Sequence, residues 1–490
     1  MTTAVITGVG VVSAFGVGAG AFFDGLANGR SAIRPIQSFD ASSFPTNFAG
    51  EVPMDATSFA ETIFPTHARP PKPVILSGSE KNERSNVSSK QQAQRPSAFA
   101  AHRSPSNSRF FAVAENDNLN FSGPHQAFRG NKHADEVLKR YQQIGAFRDR
   151  KVVFGLLAAL EAWNSAQCGE AEQEAALSFA LGLEQAFLED FAPFFSNGQI
   201  DWKAESALAT TNIRIRSHVG LCADLLGKLL DLRGVAFVNA SACAAGGLAV
   251  AHAASLIRRG AASIVLCGGA DSMLNPLGLG GMTRLGAPSP RNEPDACRPF
   301  DRRRDGLVIG EGAAMFIVES EERALHRGVT PLARILGWGS TQDAYRVTAP
   351  RPDGAAARNA MTRALARAAL QPEAVGYINA HGTGTQLNDV AEARAIRDVF
   401  GRHADSLPVS SIKGAVGHLM AASGAIELAA CLMPFQRDLL PGTAHHREKD
   451  PLCDITVIGE RPIQAQVDIA LSNSFGFGGQ NASVILGRSQ

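Results

Sequence analysis

The sequence predicts an α/β fold, and three observations carry that expectation. The first is a strand–helix–strand unit. Val235–Asn239 reads as a short β-branched and aromatic strand, Ala244–Arg259 as an Ala-rich helix, and Ser263–Cys267 as the next strand. Arg258 and Arg259 sit in the last helical turn with Gly260 just beyond, a C-terminal stop signal. The second is a repeat of that form: strand Val375–Ala380, helix Asp389–Phe400 closed by Gly401, strand Leu407–Ser411. The third is length, since 490 residues exceed what one hydrophobic core usually holds, so two lobes are expected. Such units predict parallel sheets with helices on both faces.

The other elements follow in order. Thr3–Val12 reads as a buried strand before a glycine-rich turn, and the apolar spacing of Arg148–Trp163 suits a core helix. Asp468–Ser474 and Ala482–Leu486 read as two strands around a glycine loop. Between Thr66 and His125 the texture changes: Ser, Asn, Gln, Pro and Arg dominate and no apolar periodicity survives. Too little apolar surface is available there to offset chain entropy, so a disordered, polar insertion is expected.

Composition excludes several classes. A formal charge of +1 with 19% charged residues gives no electrostatic footprint for nucleic acid. The uncharged runs Met1–Phe23 and Gly234–Ile257 are too rich in small and polar residues to span a bilayer. The seven cysteines form no Cys-x-x-Cys pair and no close Cys/His cluster, so a reducing, cytoplasmic setting is expected, without a metal site.

Reactive groups fall at strand ends, where sites form in open α/β sheets. Cys243, in Asn239–Gly247 (NASACAAGG), lies at the start of a helix, whose positive end is expected to favour thiolate. His381 ends a strand in NAHGTGT, and His418 follows Lys413 by five residues in SIKGAVGH. Two histidines and a lysine beside glycines, at neighbouring strand ends, suggest a site rather than scattered structural residues. The loop Phe475-Gly-Phe-Gly-Gly479 lets backbone amides approach a ligand closely, but it lacks the spacing of a phosphate cradle.

Taken together, seven blocks resemble the elongating β-ketoacyl-acyl-carrier-protein synthases of the thiolase-like superfamily. They are AVITGVGVVSAF (Ala4–Phe15), SACAAG (Ser241–Gly246), CGGAD (Cys267–Asp271), RPFDRRRDGLVIGEG (Arg298–Gly312), NAHGTGTQLND (Asn379–Asp389), SSIKGAVGHLMAASGAIE (Ser410–Glu427) and LSNSFGFGGQNAS (Leu471–Ser483). The resemblance implies a five-layered αβαβα fold of two similar halves. These are expected over 1–65 with 126–265 and over 266–490, with the insertion at 66–125 outside both.

It further implies that Cys243 accepts the acyl chain, while His381 and His418 donate hydrogen bonds to the malonyl thioester oxygen as carbon dioxide leaves. Lys413 and Glu427 match the supporting ion pair. Phe477, with Gly476, Gly478 and Gly479, matches the gating loop, which shares the oxyanion hole with the Cys243 amide. Thr383, Thr385 and Thr348 match positions holding the phosphopantetheine arm. The implied partner is an acyl carrier protein, in a homodimer or heterodimer, with no metal or redox cofactor and the substrates carried on phosphopantetheine. Asp301, Arg304, Asp305 and Glu311 are expected to form an internal network, Arg302 and Arg303 to be solvated, and Asp389 to complement a helix N-terminus.

The chain departs from the pattern at Leu181–Asp190, where a glycine-rich pocket segment is expected, at Arg346, where histidine is usual, and at Thr210–Leu232. Those departures suggest a specialised pathway. A degradative thiolase would need a second C-terminal cysteine, and an initiating synthase an asparagine in place of His418. The alternative from another class is a non-catalytic or decarboxylase-only partner subunit of a heterodimeric ketosynthase, and such partners characteristically lack the nucleophile that Cys243 supplies here.

Overall fold

The computed structural model describes residues 2–54, 132–169, 172–182 and 220–489, with the backbone alone of 195–196 and 199–200. The expected insertion at 66–125 lies outside the described residues, as do most of Leu181–Asp190 and part of Thr210–Leu232.

Ten strands form one hydrogen-bonded path. The first five are β1 (Ala4–Ser13), β2 (Ala176–Leu181), β3 (Ala236–Asn239), β4 (Ile264–Asp271) and β5 (Gly312–Ser320). The second five are β6 (Ala333–Gln342), β7 (Tyr377–Asn379), β8 (Val409–Ser410), β9 (Ile469–Phe475) and β10 (Gln480–Gly487). Spatial order is β1-β5-β4-β2-β3 in the first set and β6-β10-β9-β7-β8 in the second. Adding five to each number of the first set reproduces the second, so one topology occurs twice. The sets join where β1 pairs antiparallel with β6, Ala4 opposite Ile335.

Strand order revises two expectations. The boundary expected between residues 265 and 266 would cut through β4; the repeat instead turns over between Ser320 and Ala333. The sheets are also mixed rather than parallel. β2, β3 and β4 run parallel to one another, as do β7, β8 and β9, because helices carry each crossover. β5 and β10 return antiparallel: β10 follows β9 through a four-residue turn, which only an antiparallel pair allows.

Five helices complete the layers: α1 (Arg150–Ser165), α2 (Ala245–Arg258), α3 (Ala355–Ala368), α4 (Gln386–Phe400) and α5 (Ser423–Ala430). α1 covers β1, β4 and β5 on the outside, while α3 covers β6 and β10 and α4 joins the same core cluster. α2 and α5 lie between the two strand sets, touch strands of both, and pack on each other. Their crossing is made by glycine. A Cβ on Gly246 would lie 2.5 Å from the Ala425 nitrogen, and one on Gly424 2.5 Å from the Gly247 nitrogen. Both helices begin at this crossing, so the residues preceding them are drawn together at the centre of the molecule.

Candidate functional site

Each inner helix is entered through a tight turn. Ala242, at φ 47°, precedes a 3-10 turn over Ala242–Ala244 and then α2. The left-handed conformation costs a non-glycine residue about 1 kcal/mol or more, and it sets Cys243 at the mouth of the helix. In the other half, Met420 at φ 46° precedes the turn Met420–Ala422 and α5, just after His418. β7 ends two residues before His381. Convergence of these elements brings a ligating-capable atom of each of Cys243, His381 and His418 to within 4.8 Å of one another. The two imidazoles meet edge to face with ring centres 5.3 Å apart, and all three side chains are buried.

Hydrogen bonding fixes the tautomers. His418 Nδ1 lies 3.0 Å from the Met420 N–H, which can only donate, so that nitrogen accepts and the proton rests on Nε2. His381 Nδ1 lies 3.2 Å from Lys413 Nζ, which also donates to the His381 carbonyl at 2.5 Å and pairs with Glu427. An ammonium donor again leaves the proton on Nε2. Burial, reinforced by Lys413, holds both imidazoles well below their usual range and hence neutral. The site therefore holds two imidazoles protonated at Nε2, each with a ring nitrogen close to the thiol. A metal ion would need those nitrogens as lone-pair ligands, and the surrounding donors oppose that tautomer.

At Cys243 burial opposes the pull expected from its helix. Burial pushes its thiol up to about 11, against the pull of Lys413 and of the Phe477 amide, which hydrogen-bonds it. Burial outweighs these two donors, while the helix end pulls with them toward thiolate. Gly476 lies flat over the turn: a Cβ there would come 3.1 Å from the Cys243 nitrogen and 3.3 Å from that of Ala244. Gly478 and Gly479, both at φ 83°, close the loop; a Cβ on Gly479 would strike the Asp343 Cβ at 2.8 Å. The Gly478 N–H donates to the Val347 carbonyl at 2.7 Å, which ties the loop to the segment carrying exposed Thr348. The Phe477 ring packs on an apolar cluster with Leu279, Met282, Leu307, Ile309 and Met420.

Thr383 and Thr385 share a hydroxyl contact at 2.8 Å, Thr383 buried and Thr385 half-buried. Asp389 does more than complement a helix end. It is buried and accepts from the N–H groups of Phe300, Thr383 and Gly384, which folds the strand end beyond His381. The charged network has the expected members: Arg304 pairs with Asp450 at 2.5 Å and faces Asp389, Asp305 holds Arg291, and Glu311 holds Arg150. Arg302 is exposed as expected, whereas Arg303 is half-buried in ion pairs with Asp301 and Glu448.

Sequence reasoning missed three residues. Glu392, one turn beyond Asp389 on α4, accepts from the backbone N–H groups of His381 and Gly382 at 2.9 and 2.8 Å. Its signal was an acidic i, i+3 pair on the helix following the histidine. Asp271, at the end of β4, accepts from the Ala421 N–H at 2.8 Å, and burial pushes it up to about 7. Ser423 lies 3.0 Å from His418 Nδ1.

Comparison with known proteins identifies the family. The family model "Beta-ketoacyl synthase, N-terminal domain" matches residues 103–324, and "Beta-ketoacyl synthase, C-terminal domain" matches residues 332–447. A putative β-ketoacyl synthase 1 of oxytetracycline polyketide formation from Streptomyces rimosus is 31% identical over 98% of this chain and 96% of its own length. The 3-oxoacyl-[acyl-carrier-protein] synthase 2 of Synechocystis sp. is 43% identical over 53% of this chain; the matched stretch spans 63% of that relative. Among solved structures, the ishigamide ketosynthase/chain length factor superposes over all of both chains with a TM-score of 0.73 at 28% identity.

Proposed function

We propose, for a chain that belongs to the β-ketoacyl synthase family, a decarboxylative Claisen condensation: an acyl thioester and malonyl-acyl-carrier-protein give a 3-oxoacyl-acyl-carrier-protein. The supporting observation is a buried thiol with a ring nitrogen of each of two neutral imidazoles within 4.8 Å, both imidazoles having their Nδ1 occupied by donors. Cys243 exchanges its S–H for the acyl thioester, and the departing pantetheine sulfur leaves as a thiol. His381 and His418 then hold the malonyl thioester oxygen. The carboxylate departs as carbon dioxide, its bonding pair passes into an enolate, and two fixed donors stabilise the oxygen's growing charge. The enolate carbon attacks the acyl-Cys243 carbonyl, whose oxyanion meets the Cys243 and Phe477 amides, and the Cys243 sulfur is released and reprotonated.

Loss of carbon dioxide drives bond formation, so the scheme needs no metal or redox cofactor. Lys413 and Glu427 orient His381, while Thr383, Thr385 and Thr348 receive the phosphopantetheine arm of the carrier. A catalytic role fits better than that of a non-catalytic partner subunit, because Cys243 is present with both histidines aimed at it. Among the described residues no helix is long and apolar enough to cross a membrane, and we place the activity in the cytoplasm. β3 ends the strand path with Val235 and Phe237 exposed beside it, which suits pairing with a second ketosynthase chain, identical or not.

The test is intact-mass spectrometry of the protein loaded with acyl-carrier thioesters and then given malonyl-carrier protein. An acyl adduct on Cys243 followed by a 3-oxoacyl product is expected. A product formed by Cys243→Ala at the wild-type rate would overturn the assignment.

A further inference from the structure

The face of α5 that meets the site carries two polar side chains four residues apart, Ser423 and Glu427, each about 1% exposed. Residues at this spacing lie one above the other on a helix. Glu427 reaches His381 through Lys413. Ser423 reaches the other imidazole directly, its hydroxyl 3.0 Å from His418 Nδ1. We infer that Ser423 is the positioning residue of His418, holding that ring as the Nε2–H donor just as Glu427 and Lys413 hold His381, so that one turn of α5 sets both donors. The inference rests on the proposed condensation for its consequence and on geometry alone for its content.

The Met420 N–H, 3.0 Å from the same Nδ1, decides the direction of the serine bond. A backbone amide cannot reverse, so Nδ1 stays an acceptor and the hydroxyl hydrogen is the second donor to it. Two donors from different directions also fix ring rotation, which one amide does not. Other ionisable groups around His418 are His381 edge-on, the Cys243 thiol, Lys413 with its partner Glu427, and Asp271 on the adjoining Ala421 amide. Burial and Lys413 disfavour the imidazolium, and the serine donor acts in the same direction.

The experiment measures malonyl-carrier decarboxylation against pH for wild type, Ser423→Ala and Ser423→Thr. In Ser423→Ala, kcat should fall about 5-fold with KM unchanged, as for loss of one neutral hydrogen bond. Its acid limb should move up by about 0.7 pH unit, the same free energy expressed as a proton affinity. Ser423→Thr, which keeps the hydroxyl, should recover most of both. A Ser423→Ala profile superimposable on wild type would overturn the inference.

Ring-15N histidine spectra of the wild-type protein, with His418 identified by difference from His418→Gln, need no serine variant to fold. A neutral ring protonated at Nε2 supports the inference, and one protonated at Nδ1 overturns it. Absence of decarboxylation in the wild type would refute the proposed reaction, whereas a His418 ring protonated at Nδ1 would overturn the role of Ser423 whatever the reaction.

Discussion

The two halves of this molecule build the same turn and use it differently. Ala242 and Met420 both adopt φ near +47°, and each leads through a 3-10 turn into an inner helix. Aligned on those residues, Cys243 corresponds to Ala421, Ala245 to Ser423, and Ala249 to Glu427. The first turn spends its strain on presenting a thiol, and α2 behind it is alanine at both matching places. The second presents no reactive atom; its Ala421 amide is held by Asp271, and α5 behind it supports two imidazoles. Duplication gives two equivalent points facing one crossing, and division of labour between nucleophile and donors requires only side-chain changes. Those changes can be broken one at a time.

The largest effect is expected at the nucleophile. Cys243→Ala should lower condensation on the order of 1000-fold or more, as losses of catalytic nucleophiles do, with the circular-dichroism spectrum unchanged. Adding Ala421→Cys should not restore it, because Ala421 packs in an alanine cluster with Ala180, Ala245 and Ala249. Recovery of activity by the double variant would make the two turns interchangeable and end the comparison. On the donor side, His381→Ala and His418→Ala should each slow malonyl-carrier decarboxylation about 100- to 1000-fold while acyl loading of Cys243 persists. Equal loss of both half-reactions would show that the histidines serve the thiol instead.

The glycine loop belongs to the first turn and tests it from outside. Gly479→Val forces a branched residue into positive φ against Asp343, shifts the Phe477 amide, and should slow condensation about 100-fold. Phe477→Ala keeps the amide but removes a ring from the apolar cluster, so it should change mainly which acyl lengths are used. Rates across short, medium and long acyl-carrier substrates separate the two, and parallel losses at every length would reduce the loop to structure.

How much of this was legible in the sequence depended on whether a feature is local. Helix and strand positions around Cys243 and His381 came from periodicity and caps, because those signals are carried by neighbouring residues. Mixed strand direction did not, since β5 and β10 acquire their orientation from pairing across the fold. Cys243, His381, His418, Lys413 and Glu427 stood out within quotable motifs, and the structure places them together. Ser423 and Asp271 were silent, because a serine or aspartate inside an apolar run signals nothing until its partner, here His418 Nδ1 or the Ala421 amide, is brought alongside. The opposing pull on the thiol is hidden for a related reason: the helix start is visible in sequence, whereas the depth of burial is not.

That last point yields the smallest and most discriminating effect. If the helix end governed Cys243, its alkylation by iodoacetamide would be fast and nearly independent of pH above 7, the thiolate being fully formed. Burial predicts otherwise. A thiol pushed up to about 11 is almost wholly protonated at neutral pH, and each added pH unit should raise the alkylation rate about tenfold until the curve flattens near that value. All seven cysteines are free, and Cys168, Cys297 and Cys453 are pushed up further, to about 12, with Cys222, Cys267 and Cys431 higher still. Cys243 should therefore be the first site modified, identified by peptide mass and absent in Cys243→Ala. A flat profile across pH 7 to 9 would return the thiolate to the helix dipole. A steep one would show that the acyl substrate must displace the sulfur's proton, with deprotonation occurring only as the pantetheine thiol leaves.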